Sequence, residues 1–229
     1  MDNEQNNGLL KLTGIAGIFC GLFIPGVIIQ LPVTGWFPGE ALNNTSIIEW
    51  LKMISLQKGL VLTGIGFSIF AIISFIVFGI SLSQLLPKYN WSKNLASSLN
   101  IAGASLALVA FVLAYGFTWA LIDLQNTSSL SNSIELSAIT SVTMRGFLWG
   151  DDIGTTLIAM SNLFFAVSAY KAGWIPKWLY RWALIAAILV SIALLRYFVP
   201  ILEIGSIGYP MVILWFVLCG VIFLKKSKL

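Results

Sequence analysis

Residues 59–82 read GLVLTGIGFSIFAIISFIVFGISL and contain no charged side chain. At about 1.5 Å per residue, a helix of this length reaches roughly 36 Å, enough to cross a hydrocarbon core of roughly 30 Å. Lipid offers the backbone no hydrogen bonds, so a segment at that depth closes its own, as a helix does. Gly64, Ser68, Ala71 and Phe75 recur at helical spacing and give this helix a small-residue packing face.

The same pattern recurs at residues 12–31, 99–124, 151–172, 178–198 and 205–224. The reading is all-α: a polytopic transmembrane bundle of six helices, one membrane domain over residues 1–229. Gly103, Ala107, Ala110, Ala114 and Thr118 form a second small face. In the first block Gly17 and Gly21 make a GxxxG pair, which serves internal packing or homodimerisation. Pro25-Gly26 predicts a kink in that helix. Residues 87–98 read as a short polar loop. Two connections are long, and each is expected to carry a short interfacial or re-entrant helix on the extracytoplasmic side. In the first, Thr45 or Ser46 caps a helix with Glu49 as capping-box partner, and Trp50 suggests that it lies in the interface plane. The second covers residues 134–148.

Composition agrees. Hydrophobic residues make up 58% of the chain and charged residues 10%, against about 25% charged in a soluble domain. The net charge of +4 is scattered at helix ends rather than along a stripe, so nucleic acid is not an expected partner. Cys20 and Cys219 lie inside apolar blocks and read as small buried residues. There is no histidine, which removes imidazole-ligated haem or zinc and histidine acid–base chemistry. Met1-Asp2-Asn3-Glu4 is acidic, unlike the basic start of a cleavable signal peptide, so the first block reads as a permanent span.

Six spans put both termini on one side. Lys11, Lys88, Lys93, Lys171, Lys177, Arg181, Lys225, Lys226 and Lys228 share that side; Lys52, Lys58, Arg145 and Arg196 take the other. Nine of the 13 basic residues therefore accompany the termini. The positive-inside rule makes that side cytoplasmic. The expected location is the cytoplasmic membrane, multi-pass, with both termini in the cytoplasm.

The stretch Ala169-Tyr170-Lys171-Ala172-Gly173-Trp174-Ile175-Pro176-Lys177 ends one span and enters the next through an aromatic–aliphatic–Pro–basic turn. With Gln57-Lys58-Gly59-Leu60, Gln84-Leu85-Leu86-Pro87-Lys88 and the long connection before helix four, it resembles a family of bacterial six-helix membrane proteins. That family is catalogued as a domain of unknown function (family 4386). The resemblance covers most of the chain. It implies a six-span helical fold in a bacterial membrane and brings no activity, so no catalytic residue is carried over. The family's pattern often has a histidine before helix four. This chain has Arg145 there, which puts any histidine-dependent role in doubt.

The polar residues that stand out are Asp123, Arg145, Asp151, Asp152, Arg196 and Glu203, all expected at the extracytoplasmic end. An ionisable group in a span is expensive unless paired or snorkelling, and Arg196 has Glu203, Asp123 and Asp152 as candidate partners. Adjacent Asp151 and Asp152 point to different faces of a helix, so they are not a ready-made catalytic pair. With Thr155, Thr156 and Asn162 below one of them, a polar groove opening outward is expected. The structural alternative is that the aspartates cap a helix start and Arg196 snorkels.

Three function classes follow. The first is non-enzymatic: binding of a lipid or small amphiphile, or an accessory role in a larger membrane complex. Membrane lipids are then the partners, with a homo-oligomer as a further option, and neither cofactor nor metal is expected. The second is a membrane enzyme using the extracytoplasmic carboxylates on a lipid-linked substrate, with Arg145 or Arg196 holding an anionic group. The third is a small-molecule transporter or channel, ranked last because the midplane is poor in charge.

Overall fold

The computed structural model describes residues 3–34, 47–87, 91–127 and 134–227. The Thr45/Ser46 cap lies outside these residues. All regular structure among them is helical: α1 (Asn3–Cys20), α2 (Phe23–Thr34), α3 (Ile47–Leu56), α4 (Lys58–Leu85), α5 (Trp91–Thr127), α6 (Ile134–Lys171), α7 (Lys177–Ala193) and α8 (Gly208–Lys226). Two 3-10 turns, Leu194–Tyr197 and Pro200–Ile207, join α7 to α8. Six segments are long and apolar enough to cross a membrane: Asn6–Val33, Lys58–Leu85, Trp91–Ala120, Thr140–Lys171, Lys177–Arg196 and Ile201–Lys226. They place both termini at one end of the bundle; the opposite end is called the far end below.

The first span is α1 and α2 end to end, broken at Gly21-Leu22. The break comes four residues before Pro25 because a proline lacks an N–H and its ring crowds the carbonyl four residues back. That carbonyl is Gly21 O, which accepts instead from Ile24 N at 3.2 Å. The expected kink is thus present, one turn earlier than the proline itself.

Neighbours in sequence are neighbours in space. The first span packs on α4, α4 on α5, α5 on α6, α6 on α7 and α7 on α8, and α8 closes the ring against α1. Small residues set the close seams. A Cβ on Gly17 would stand 2.7 Å from Phe216 O and 2.9 Å from Gly220 Cα, so the glycine stripe of α1 is taken up by α8 of the same chain. On the α5–α6 seam, a Cβ on Gly103 would meet Gly154 O at 2.6 Å. At the near half an aromatic cluster fills the middle: Phe75 and Phe78 of α4 lie 4.7 and 4.9 Å, ring to ring, from Phe216 of α8. The outward faces carry Leu62, Ile73, Val109, Leu113, Ile185 and Ile188, all exposed. In water such a surface would drive aggregation; in lipid it is the required exterior.

Three expectations change. Residues 134–148 are not a separate short helix but the first turns of the 38-residue α6. Residues 91–98 are helical too, opening the 37-residue α5. Each helix is roughly 55 Å long, and the two support one another as a hairpin where their sequences turn polar. Lys93 contributes at the near end by donating from Nζ to Ser83 O and Leu86 O, both at 3.0 Å, which satisfies carbonyls at the end of α4. The short helix of the first connection exists as α3. Its Trp50 is 1% exposed and packs among Val33, Val61, Ile65, Ile122 and Met144, so the residue read as an interface anchor is buried in protein. The turn after α6 closes on Gly173 at φ 72°, with Trp174 N bonding Ala169 O at 2.8 Å. That left-handed step is the reason for a glycine there.

Candidate functional site

The site is built where the last two spans meet α6. After α7 the chain tightens into its first 3-10 turn, which carries Arg196. The second 3-10 turn then folds back on α7, because Gly205 and Gly208 leave room: a Cβ on Gly205 would stand 2.5 Å from Ala193 N, and one on Gly208 2.8 Å from Val190 N. This close approach brings Ser206 and Tyr209 beside Arg196.

Arg196 then bonds to groups on both sides of it. Its Nη2 donates to Asp152 Oδ2 at 2.8 Å, and its Nη1 to Ser206 Oγ at 3.1 Å and to Tyr209 OH at 3.2 Å. Tyr209 OH donates in turn to Asp152 Oδ1 at 2.7 Å. Both carboxylate oxygens of Asp152 are therefore engaged, one by a cation and one by a phenol. The side chains of Arg196 and Asp152 are 12% and 3% exposed. A charge pair at this burial is tolerable only with its remaining hydrogen bonds satisfied, which Ser206 and Tyr209 provide.

Beneath this network lies a cavity of about 250 Å³. Its walls come from α2, α4, α5, α6 and α8, and are mainly Phe23, Ile72, Phe75, Phe111, Phe147 and Ile213. The polar part of the lining is Gln30, Tyr115, Asp151, Asp152, Thr155 and Tyr209. The break at Gly21-Leu22 creates the space. α1 packs along α8, but α2 veers onto α4 and barely touches α8. Of the lining residues, Ile28 of α2, 59% exposed, and Pro210 of α8 are the exposed ones, which puts the mouth between these two helices. In the same lining Gln30 Nε2 donates to Gly26 O at 2.9 Å, and Gln30 Oε1 accepts from Tyr115 OH.

The polar residues singled out from sequence divide. Asp152 and Thr155 line the cavity, and Arg196 is tied to Asp152. Of the three candidate partners for Arg196, Asp152 is the one found in the ion pair. Thr156 Oγ1 bonds back to Asp152 O at 2.8 Å, within its own helix. Asn162 is buried but not in the lining; its Nδ2 reaches Val212 O at 3.5 Å. Asp123, Arg145 and Glu203 are exposed and do not line the cavity. Among the described residues no three acidic or cysteine side chains gather closely enough to hold a metal ion.

Asp151 is the second lining carboxylate, although adjacency in sequence sets it on a different face of α6 from Asp152. The cavity is broad enough along α6 to take both. Its Oδ1 is buried with no hydrogen-bond partner among the described residues. Tyr209, Ser206, Gln30 and Tyr115 were not singled out from sequence. Gln30 had a signal available: an amide inside an apolar block needs a partner in the bundle. Comparisons with protein-family models, with curated proteins and with solved structures found no match.

Proposed function

We propose that this chain is a multi-pass protein of a bacterial cytoplasmic membrane that binds a lipid or small amphiphile, without transforming it, in the cavity at its far end. The observation that carries this reading is the cavity's composition: aromatic and aliphatic walls, a polar end at Asp151, Asp152, Gln30, Tyr115 and Tyr209, and a mouth between α2 and α8. Apolar walls with a few convergent polar groups are what small-molecule sites have in common. A mouth between two spans admits a molecule from the bilayer. The sidedness of the basic residues supports cytoplasmic termini, which turns the cavity toward the extracytoplasmic face. Membership of the six-helix bacterial family belongs to the same reading.

The enzymatic alternative loses support from the geometry. Asp152 is saturated by Arg196 and Tyr209, while Asp123 and Glu203 are exposed away from it. A transporter is the second reading, favoured by one observation, the broken first span beside the cavity.

The test is extraction of purified protein from lipid nanodiscs, followed by mass spectrometry of what it holds. The reading expects one class of amphiphile enriched over the bulk lipid, and lost when Val27→Trp fills the cavity. An extract matching the bulk lipid in both proteins contradicts it. Uptake of a solute by proteoliposomes would favour the transporter.

A further inference from the structure

We propose that the molecule bound in this cavity carries a protonated amine, and that Asp151 receives it. The inference rests on the amphiphile reading above and specifies its head group. Among the described residues, three charged side chains stand at the cavity's polar end: Asp151, Asp152 and Arg196. Arg196 and both oxygens of Asp152 are committed to one another and to Tyr209. One carboxylate, Asp151, is left over, with Oδ1 buried and unpartnered among the described residues.

The Tyr209, Tyr115 and Gln30 side chains of the lining do not supply the cation that Asp151 lacks, and the Thr155 hydroxyl is neutral. The Tyr209 hydroxyl is spent on Asp152, and the Tyr115 hydroxyl on Gln30. Gln30 Nε2 is bonded to Gly26 O. Arg145, the nearest basic residue in sequence on α6, is exposed and outside the lining. An unpaired carboxylate among Phe111, Phe147 and Ile158 is costly. A ligand that brings a cation and its N–H donors to that point removes the cost, and a charge-assisted bond of this kind is about twice as strong as a neutral one. An anionic head group meets the reverse: a second negative charge beside Asp151, with the local arginine already taken. A neutral alcohol supplies a donor but no charge. The site thus selects an amine over both, with the apolar chain lying along Phe23, Phe75 and Phe147 toward the mouth.

The experiment uses the full chain in nanodiscs and three ten-carbon probes with a diazirine in the chain, ending in a primary amine, an alcohol or a carboxylate. Photolabelling is mapped by peptide mass spectrometry. The amine is expected to label cavity residues at least about tenfold more efficiently than the other two. Asp151→Asn should abolish that preference while leaving alcohol labelling in place. Equal labelling by all three probes in the wild-type protein overturns the amine assignment and leaves the cavity reading standing. If no probe labels the cavity, both readings fall. The wild-type comparison decides the matter even if Asp151→Asn does not fold.

Discussion

Replacing Arg196 by methionine removes the cation and keeps an unbranched apolar stem. In the structure it deletes the 2.8 Å bond to Asp152 Oδ2 and the bonds to Ser206 and Tyr209. Asp152, with a side chain 3% exposed, loses its cation and keeps the hydrogen bond from Tyr209. Breaking a buried ion pair on one side typically costs about 3–5 kcal/mol, because the surviving charge has no water to return to. For a chain of this size that corresponds to a fall in Tm on the order of 10 °C. Thermal unfolding followed by tryptophan fluorescence in one detergent is the assay. The companion variant Asp152→Asn removes the stranded charge. In the double variant most of the loss should return, so the two single effects should not add. Glu203→Gln is the control: this residue was an equally good partner on sequence grounds, yet it is exposed, and its removal should shift Tm by less than about 2 °C. If Arg196→Met and Glu203→Gln behave alike, or if the two single losses simply add, the pairing described here is wrong.

Three further outcomes follow from the same geometry. Tyr209→Phe loses the bond donated to Asp152 and the longer one accepted from Arg196, and should destabilise by at least about 1.5–3 kcal/mol, measurable in the same melt. On α5, Gly103→Ala pushes a Cβ against Gly154 O at 2.6 Å and should destabilise, whereas Gly116→Ala meets nothing within 4 Å and should stabilise by up to about 1 kcal/mol from helix propensity. In a cysteine-free background, Glu203→Cys in intact cells should react with a membrane-impermeant maleimide, and a cysteine placed at Lys226 should react only after lysis; the reverse pattern would invert the topology.

The six spans were legible because each is a long block with almost no charge, and lipid leaves such a block little choice but a helix. The breaks and extensions were harder. Read alone, residues 91–98 look like a loop and residues 134–148 like a separate short helix. Both are ends of long helices, because α5 and α6 lie against each other and because Lys93 ties into the end of α4. Within the site, Arg196 announced itself by interrupting an apolar run. Its partner was one of three candidates that sequence left equal: Asp152 is 44 positions away in sequence, and the two meet because Gly205 and Gly208 let the last turns fold tightly on α7. Helical geometry offsets Asp151 from Asp152, yet both line one cavity, and sequence gives no width for a cavity. That width is set by Pro25, whose effect on Gly21 turns α2 away from α8.

The claim that the far-end cavity is a binding site is tested most directly by an experimental structure of the protein in native-like lipid. Elongated density is expected between Phe23, Phe111 and Phe147, reaching Asp151 at one end and the gap beside Ile28 at the other. A space closed by α2 lying flush against α8, with side chains packed into it and Asp152 paired elsewhere, would contradict it.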